Sequence, residues 1–360
     1  MNEASTKTTA LRRQLFVHAG THKTGTTAFQ KLLEQEAADL RKSGIKILTP
    51  YLIRRSGSDS DSLAARCADY QKLILSHEAI CTFPVERLSK LAESASPGQA
   101  TYIIAFRYWP HWLFSRWAQS SLRRDSQSFH AYLENVMAEP YRLQDVAYHR
   151  IIQRARSAGF KAIRTISYDN ATTDQSNSLM NILIDQCGLR GPLNQYGPRE
   201  NITSGRLNDD IVRLFNGVRS EFEDNRQNAL FEHVSLGVPI DCFYDQSPLI
   251  EKALRLDPAL ADDLSKIISE TQREVRLEPS NFRELDERLE GEVGETAVNR
   301  VSGQFFVDKS PKSVLVSELA FSDLDAHLKK RMRRSLDKAR QTKSTSSRVL
   351  SKFRAALNLQ

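Results

Sequence analysis

The stretch QLFVHAGTHKTGTTAFQ, residues 14–30, decides the reading of this chain. A short apolar run, Leu15 to Val17, has the residue types of a buried strand. It breaks into a Gly/Lys/Thr turn and then into a helical pattern. Gly20 and Gly25 permit the tight turn, and the amides after Gly25 begin a helix whose N–H groups and dipole attract an anion. Lys23 adds a point positive charge, and Thr26 and Thr27 put hydroxyl donors in the first helical turn. Strand, loop and helix together read as a phosphate cradle; the alternative is a Gly/Thr-rich turn that only starts a helix.

The order of residues narrows this. A kinase-type P-loop reads G-x-x-x-x-G-K-[ST], with the lysine after the second glycine and a Ser/Thr to hold magnesium. Gly20 and Gly25 keep that spacing, but Thr26 follows Gly25 and the lysine stands at position 23. Preceded by an apolar strand, KTGTT, residues 23–27, resembles the 5′-phosphosulfate loop of sulfotransferases, which bind 3′-phosphoadenosine 5′-phosphosulfate (PAPS). The resemblance implies that Lys23 reaches the oxygen bridging phosphate and sulfate. It also implies that Thr24, Gly25, Thr26 and Thr27 grip the 5′-phosphate.

A second element supports the same family. TYIIAFR, residues 101–107, is an apolar run closed by Arg107, and Ser115 follows eight positions on in a segment of helical spacing. Sulfotransferases have an arginine at a strand end and a serine eight residues later, which bind the 3′-phosphate. Arg107 is suited to a bidentate charge-assisted contact and Ser115 to a hydroxyl hydrogen bond. Between the two elements, KLILSHEAI at 72–80 reads as a strand over Leu73 to Leu75 ending in Ser76, His77 and Glu78. At the carboxyl end of a strand in an open α/β sheet these side chains project into the ligand cleft. Either His77 or Glu78 is then the base that takes the acceptor proton, because sulfuryl transfer, like phosphoryl transfer, is an in-line displacement needing positioning and charge neutralisation. A bland alternative has Glu78 in an ion pair and His77 capping the strand.

The resemblance covers roughly residues 12–225. Within it a helix is expected from about Tyr141 to Ser157, capped by Gly159, then a strand from Lys161 to Tyr168 and a helix from Leu179 to Leu189. ENITSGR, 200–206, offers Asn201, Thr203 and Arg206 as ligand contacts or a simple N-cap. The family's cytosolic members stack adenine on a tryptophan directly after the two threonines, where this chain has Ala28. Trp109, Trp112 and Trp117 cluster around Arg107 and Ser115 instead, as a stacking platform or, at near-helical spacing, as core.

The fold expected is α/β: a parallel β-sheet flanked by helices, P-loop nucleotide-binding and sulfotransferase-like, with a mainly helical C-terminal extension. The expected divisions are a PAPS-binding domain at 1–225, a helical extension at 226–325 that completes the domain or covers the acceptor site, and a basic helical tail at 326–360. Almost nothing beyond 205 shows strand periodicity. Loops are expected near 240–248 and 291–313, where GQFFVDKSPKS is a lid or an ordinary connector, and the Ser/Asp patch SGSDSDS at 56–62 reads as a loop.

The 360 residues carry a net charge of +7, much of it in the basic run from His327 to Arg354. That run reads as a solvated helix, as a peripheral contact with anionic lipid, or as a docking site for acidic polysaccharide. Nucleic-acid binding is not expected, since no recognisable module is present. Cys67, Cys81, Cys187 and Cys242 form no C-x-x-C pair and have no histidines at zinc spacing, so reduced thiols are expected. With no signal-peptide pattern and no apolar run near the roughly 18 residues that span a bilayer, a cytoplasmic location is expected, at most peripheral to the inner membrane face.

The expectation is therefore a metal-free, PAPS-dependent sulfotransferase acting on a hydroxyl, or an amine, of a carbohydrate or lipid-linked acceptor. Two rivals stand beside it: a P-loop kinase or other nucleoside-triphosphate enzyme, and a non-catalytic adenylate-binding scaffold.

Overall fold

A computed structural model describes residues 13–21, 24, 26–48, 67, 69–123, 127–142, 145–173, 178–190, 209–222 and 247–357. The described helices are, in chain order, α1 (Thr26–Gln35), α2 (Ala37–Lys42), α3 (Val85–Glu93), α4 (Trp109–Arg123), α5 (Phe129–Ala138), α6 (Tyr148–Ser157), α7 (Tyr168–Thr173), α8 (Leu179–Gln186), α9 (Asp209–Phe222), α10 (Ser247–Leu256), α11 (Pro258–Thr271), α12 (Arg283–Val293) and α13 (Ala326–Leu357). The chain groups into two units, one from 1–112, 139–201 and 278–311, the other from 113–138, 202–277 and 312–360.

The first unit is α/β. Five parallel strands, β1 (Gln14–His18), β2 (Ile45–Leu48), β3 (Lys72–Ser76), β4 (Ala100–Phe106) and β5 (Ala162–Ser167), lie in the order β2-β3-β1-β4-β5. All seven residues of β4 are buried, as expected where helices cover both faces of a parallel sheet. On one face Ile74, Ile103 and Ile166 pack with Phe29, Leu32 and Leu33 of α1 and Leu183 and Ile184 of α8. On the other, α3 and α12 pack against α6, whose Ile151, Ile152 and Ala155 are buried. Parallel neighbours need crossover connections, so all five strands end at one edge of the sheet. The loops after β1, β3, β4 and β5 therefore gather there.

Strands expected at 15–17, 73–75, 101–107 and 161–168 appear with each end shifted by one residue. Three features differ from expectation. β2 is only four residues long and does not stand out from the helix before it. Helix α6 begins at Tyr148, not near Tyr141, because Tyr141 donates its hydroxyl to Glu284 of α12 at 2.7 Å, and Val146 is buried and accepts from the indole of Trp109 at 3.0 Å. The helix then ends as expected, with Gly159 at φ +91°. The third difference is strand structure beyond residue 205. β6 (Gln272–Leu277) and β7 (Lys312–Ser317) form an antiparallel pair. Their pattern is hard to read because Arg273, Glu274 and Leu315 face outward and the partner strand is distant in sequence.

The three tryptophans are fully buried. Trp109 stacks on Tyr148 at 4.8 Å, and Trp117 lies 5.4 Å from Phe129 and donates to the Gln127 carbonyl. They are core side chains. Phe305 and Phe306 are likewise buried, and Asn170 holds their segment by donating to the Phe305 carbonyl and accepting from the Val307 N–H.

The second unit packs Val212 and Phe215 of α9, Ile250 of α10, Leu264 and Ile268 of α11, and Met332 and Leu336 of α13 into one core. A buried ion pair joins helix to sheet. Asp210 binds Arg213 at 3.1 Å and accepts from the Ser317 N–H at 2.9 Å. The start of the basic run is thus an amphipathic helix, its Arg331 held by Asp257 and Asp263. No helix among the described residues is long and apolar enough to cross a membrane.

Gly217 of α9 is a close-approach position, since a Cβ there would sit 2.3 Å from Cγ of Phe321 and 2.5 Å from its Cβ. Alanine gains about 1 kcal/mol over glycine in a helix, while overpacking costs about 1–3 kcal/mol. Gly217→Ala is therefore expected to be net destabilising in urea unfolding, and the added change Phe321→Ala is expected to remove the clash component. A stabilised single variant would show that the two elements do not pack this closely.

Candidate functional site

The site is built where β1 hands over to α1. Backbone pairing does not stop at His18: Ala19 N–H donates to the Ile103 carbonyl at 2.8 Å and Thr21 N–H to that of Ala105 at 3.4 Å. The chain runs on along β4 before it turns. The Thr21 hydroxyl also bonds the Ala105 carbonyl, and the Thr24 hydroxyl closes the turn on the Thr21 carbonyl at 2.5 Å. The Thr24 side chain is thus committed to the loop itself. Thr26 opens α1 and is buried, whereas Thr27 is exposed on the first turn. Lys23 and Gly25 lie outside the described residues, as do Asn201, Thr203 and Arg206.

Gly20 is the tightest point. A Cβ on Gly20 would meet the Thr26 hydroxyl at 2.3 Å, the Thr24 hydroxyl at 3.1 Å and His18 Nε2 at 3.2 Å. Three polar atoms therefore converge on one position that only glycine leaves open. Two of them, Thr26 Oγ1 and His18 Nε2, are buried with no hydrogen-bond partner among the described residues. A buried polar atom without a partner costs about 1–3 kcal/mol, and each of these two could hydrogen-bond to a polar group brought beside it.

Sequence reasoning passed over His18. Its ring is fully buried against Phe29, and Nδ1 lies 2.9 Å from the Ser76 hydroxyl. Burial holds its pKa at about 3, against an ordinary 6.5, so it is neutral near pH 7. The signal available was a polar residue ending an apolar strand directly before the glycine turn, which also fits an ordinary strand end.

At the end of β3, His77 is in extended conformation and caps the short 3-10 helix Glu78–Thr82, its Nδ1 accepting from the Ala79 N–H at 3.0 Å. Its backbone N–H donates to the His18 carbonyl at 3.0 Å, which ties this loop to the first. Glu78 is the first residue of that 3-10 helix. A groove of about 280 Å³ opens beside them, lined by Gln30, Leu33 and Glu34 of α1, Ile47 and Leu48 of β2, Ser76 and His77.

At the end of β4, Arg107 Nε lies 3.7 Å from Asp169, its guanidinium is 5.3 Å from the Tyr168 ring centre, and its carbonyl accepts from the Tyr148 hydroxyl. Asp169 also accepts from the Tyr108 N–H at 2.6 Å and lies 3.4 Å from His111. One buried carboxylate from the start of α7 thus sets both the β4–α4 turn and the arginine. Asp169 was not singled out from sequence because an acidic residue in a first helical turn needs no further explanation. Arg107 belongs to the first unit. Ser115 is half-buried on the part of α4 that groups with the second unit.

Loop, β3 end and β4 end lie at the same edge of the sheet, and together they can offer hydrogen bonds and positive charge to an anion. Among the described residues no three His, Cys, Asp or Glu side chains form a group able to hold a metal ion. Comparisons of the chain with protein-family models, with curated proteins and with solved structures find no match.

His18 has a measurable signature. In the unfolded chain it takes up a proton below about pH 6.5, which the folded ring refuses until about pH 3. Its contribution to stability is therefore whole above pH 6.5 and is lost as pH falls from there toward 3. Urea unfolding from pH 7.5 to 4.5 is expected to show a shallower acid loss for His18→Gln than for the unchanged protein. Parallel curves would mean that the folded site accepts the ring's charge.

Proposed function

We propose that this chain is a P-loop-type, PAPS-dependent sulfotransferase acting on a hydroxyl or amine of a carbohydrate or lipid-linked acceptor. The observation that carries the reading is the convergence at Gly20: two buried, unpartnered polar atoms beside the N-terminus of a ten-residue helix, at the carboxyl end of the central strand. The donor set fits a phosphate-type anion, since helix amides, a threonine hydroxyl and a neutral imidazole all donate without adding a charge that must be buried. The position of Lys23 ahead of the glycine favours a phosphosulfate over a nucleoside triphosphate.

PAPS, when bound, supplies the sulfuryl group and a 5′-phosphate as leaving group. Thr26 and Thr27 hold that phosphate, and Lys23 offsets the charge that gathers on it as the bond to sulfur breaks. Arg107, oriented by Asp169, takes the 3′-phosphate.

The cap made by His77 divides the labour at the acceptor. With Nδ1 accepting from Ala79, the neutral ring carries its proton on Nε2 and presents an N–H there. It can orient an acceptor oxygen but cannot remove its proton. Glu78 is therefore the base. The acceptor heteroatom gains the sulfuryl group, its proton passes to the Glu78 carboxylate, and the electron pair of the broken bond leaves with the phosphate.

Sulfur-labelled PAPS incubated with the protein and a fractionated extract of the source cell is expected to give a labelled product in the presence of EDTA. Magnesium-dependent turnover of labelled ATP without sulfate transfer would replace this reading by the kinase one. Glu78→Gln is expected to lower kcat about 10²- to 10⁴-fold. His77→Asn, which can still cap, is expected to change KM more than kcat. In calorimetry, Arg107→Ala is expected to weaken adenosine 3′,5′-bisphosphate at least tenfold more than 5′-AMP, and equal losses would remove Arg107 from the 3′-phosphate.

A further inference from the structure

The groove between α1 and the β2–β3 edge has no role in cofactor binding as described above, yet it shares a wall with the loop. Ser76 lines it, and the Ser76 hydroxyl is the group bonded to His18 Nδ1, whose other nitrogen faces Gly20 and Thr26. At about 280 Å³ the groove falls at the small end of ligand pockets, sized for one ring and not for an extended chain. Its apolar wall is Leu33 and Ile47. Its polar groups are Ser76, His77, the Glu34 carboxylate and the side-chain amide of Gln30, whose Nε2 is buried with no partner among the described residues. An orphaned amide N–H calls for a ligand oxygen, and a carboxylate accepts from hydroxyls but repels an anion.

We infer that this groove is the acceptor subsite, and that it takes a neutral, sugar-sized ring bearing hydroxyl groups, with one less polar face against Leu33 and Ile47. The inference rests on the sulfotransferase reading for the word acceptor, though the binding of such a ring does not. Gln30 donates to a ring oxygen or hydroxyl, Glu34 accepts from a hydroxyl and excludes carboxylated or already sulfated rings, and His77 Nε2 donates to the oxygen to be modified.

The loop also sets the polarity of the groove. An anion at Gly20 requires a proton on His18 Nε2, which makes Nδ1 an acceptor and Ser76 the donor to it. The lone pairs of Ser76 are then left to accept a hydroxyl from a ring in the groove. A filled loop therefore favours a hydroxylated neighbour in the groove, and reciprocity requires the ring to favour the anion in turn.

The test uses the full chain and two probes, methyl β-D-glucoside and its carboxylated counterpart methyl β-D-glucuronide, titrated by NMR with and without saturating adenosine 3′,5′-bisphosphate, whose own affinity is measured separately by calorimetry. The glucoside is expected to bind, more tightly with nucleotide present, and the glucuronide at least fivefold more weakly. Gln30→Ala is expected to weaken the glucoside about three- to tenfold, the worth of one hydrogen bond. Glu34→Gln, at an exposed position where folding is not at stake, is expected to narrow the gap between the two probes. Nucleotide binding without glucoside binding, or glucoside binding unaffected by Gln30→Ala and equal to that of the glucuronide, overturns the subsite. Glucoside binding with these responses but no nucleotide binding upholds the neutral-ring site and removes the cofactor reading instead.

Discussion

Backbone pairing that outlasts a strand is what holds this site in place. β1 is flanked on both sides, by β3 and β4, and its hydrogen bonds continue past His18 through Ala19 and Thr21 to the carbonyls of Ile103 and Ala105. Each such bond is worth only about 1 kcal/mol net, so their importance is geometric. They carry the chain along β4 until Gly20 passes under the first residue of α1 with no room for a side chain. The N-terminus of α1 is thereby aimed at the carboxyl edge of the sheet by the sheet itself. Sites supported by rigid elements hold their geometry better than sites on free loops, and here even the loop is in part an extension of the sheet.

Charge is arranged around that edge by depth. At the floor, His18 is neutral because burial leaves no solvent to support an imidazolium, and it can still donate one hydrogen bond. Toward the rim, Arg107 is about a quarter exposed and lies against Asp169. A fixed cation at the floor would need a permanent counter-ion and would carry a large desolvation cost in its absence. A neutral donor avoids that cost. The pinning of Arg107 and of the Tyr108 N–H by one carboxylate has a similar logic. The arginine and the turn that carries it are set together.

Much of this was legible in the chain because its central strands are continuous apolar runs closed by polar residues, the pattern a doubly covered parallel sheet imposes. Gly20 and Thr26 stood out by order and spacing alone. β2 did not, since IKIL is too short to separate from the helix before it. The late start of α6 was hidden because Tyr141 fits a helical pattern and is removed from it only by a bond to Glu284, 143 residues away. β6 and β7 were missed for a related reason: each is half charged or half exposed, and the pairing that makes them strands is invisible locally. His18 and Asp169 look like an ordinary strand end and an ordinary first-turn acid. Their importance comes from what the fold places beside them.

The same dependence on neighbours constrains His77. An imidazole can act as a base through one nitrogen only if the other carries the proton, and a backbone N–H directed at Nδ1 forbids that arrangement at neutral charge. Capping the 3-10 helix thus fixes the tautomer. To act as a base His77 would have to give up the cap, exposing the Ala79 N–H and loosening the turn that presents Glu78. The fold therefore fixes the neutral His77 ring as a donor through Nε2 at the groove.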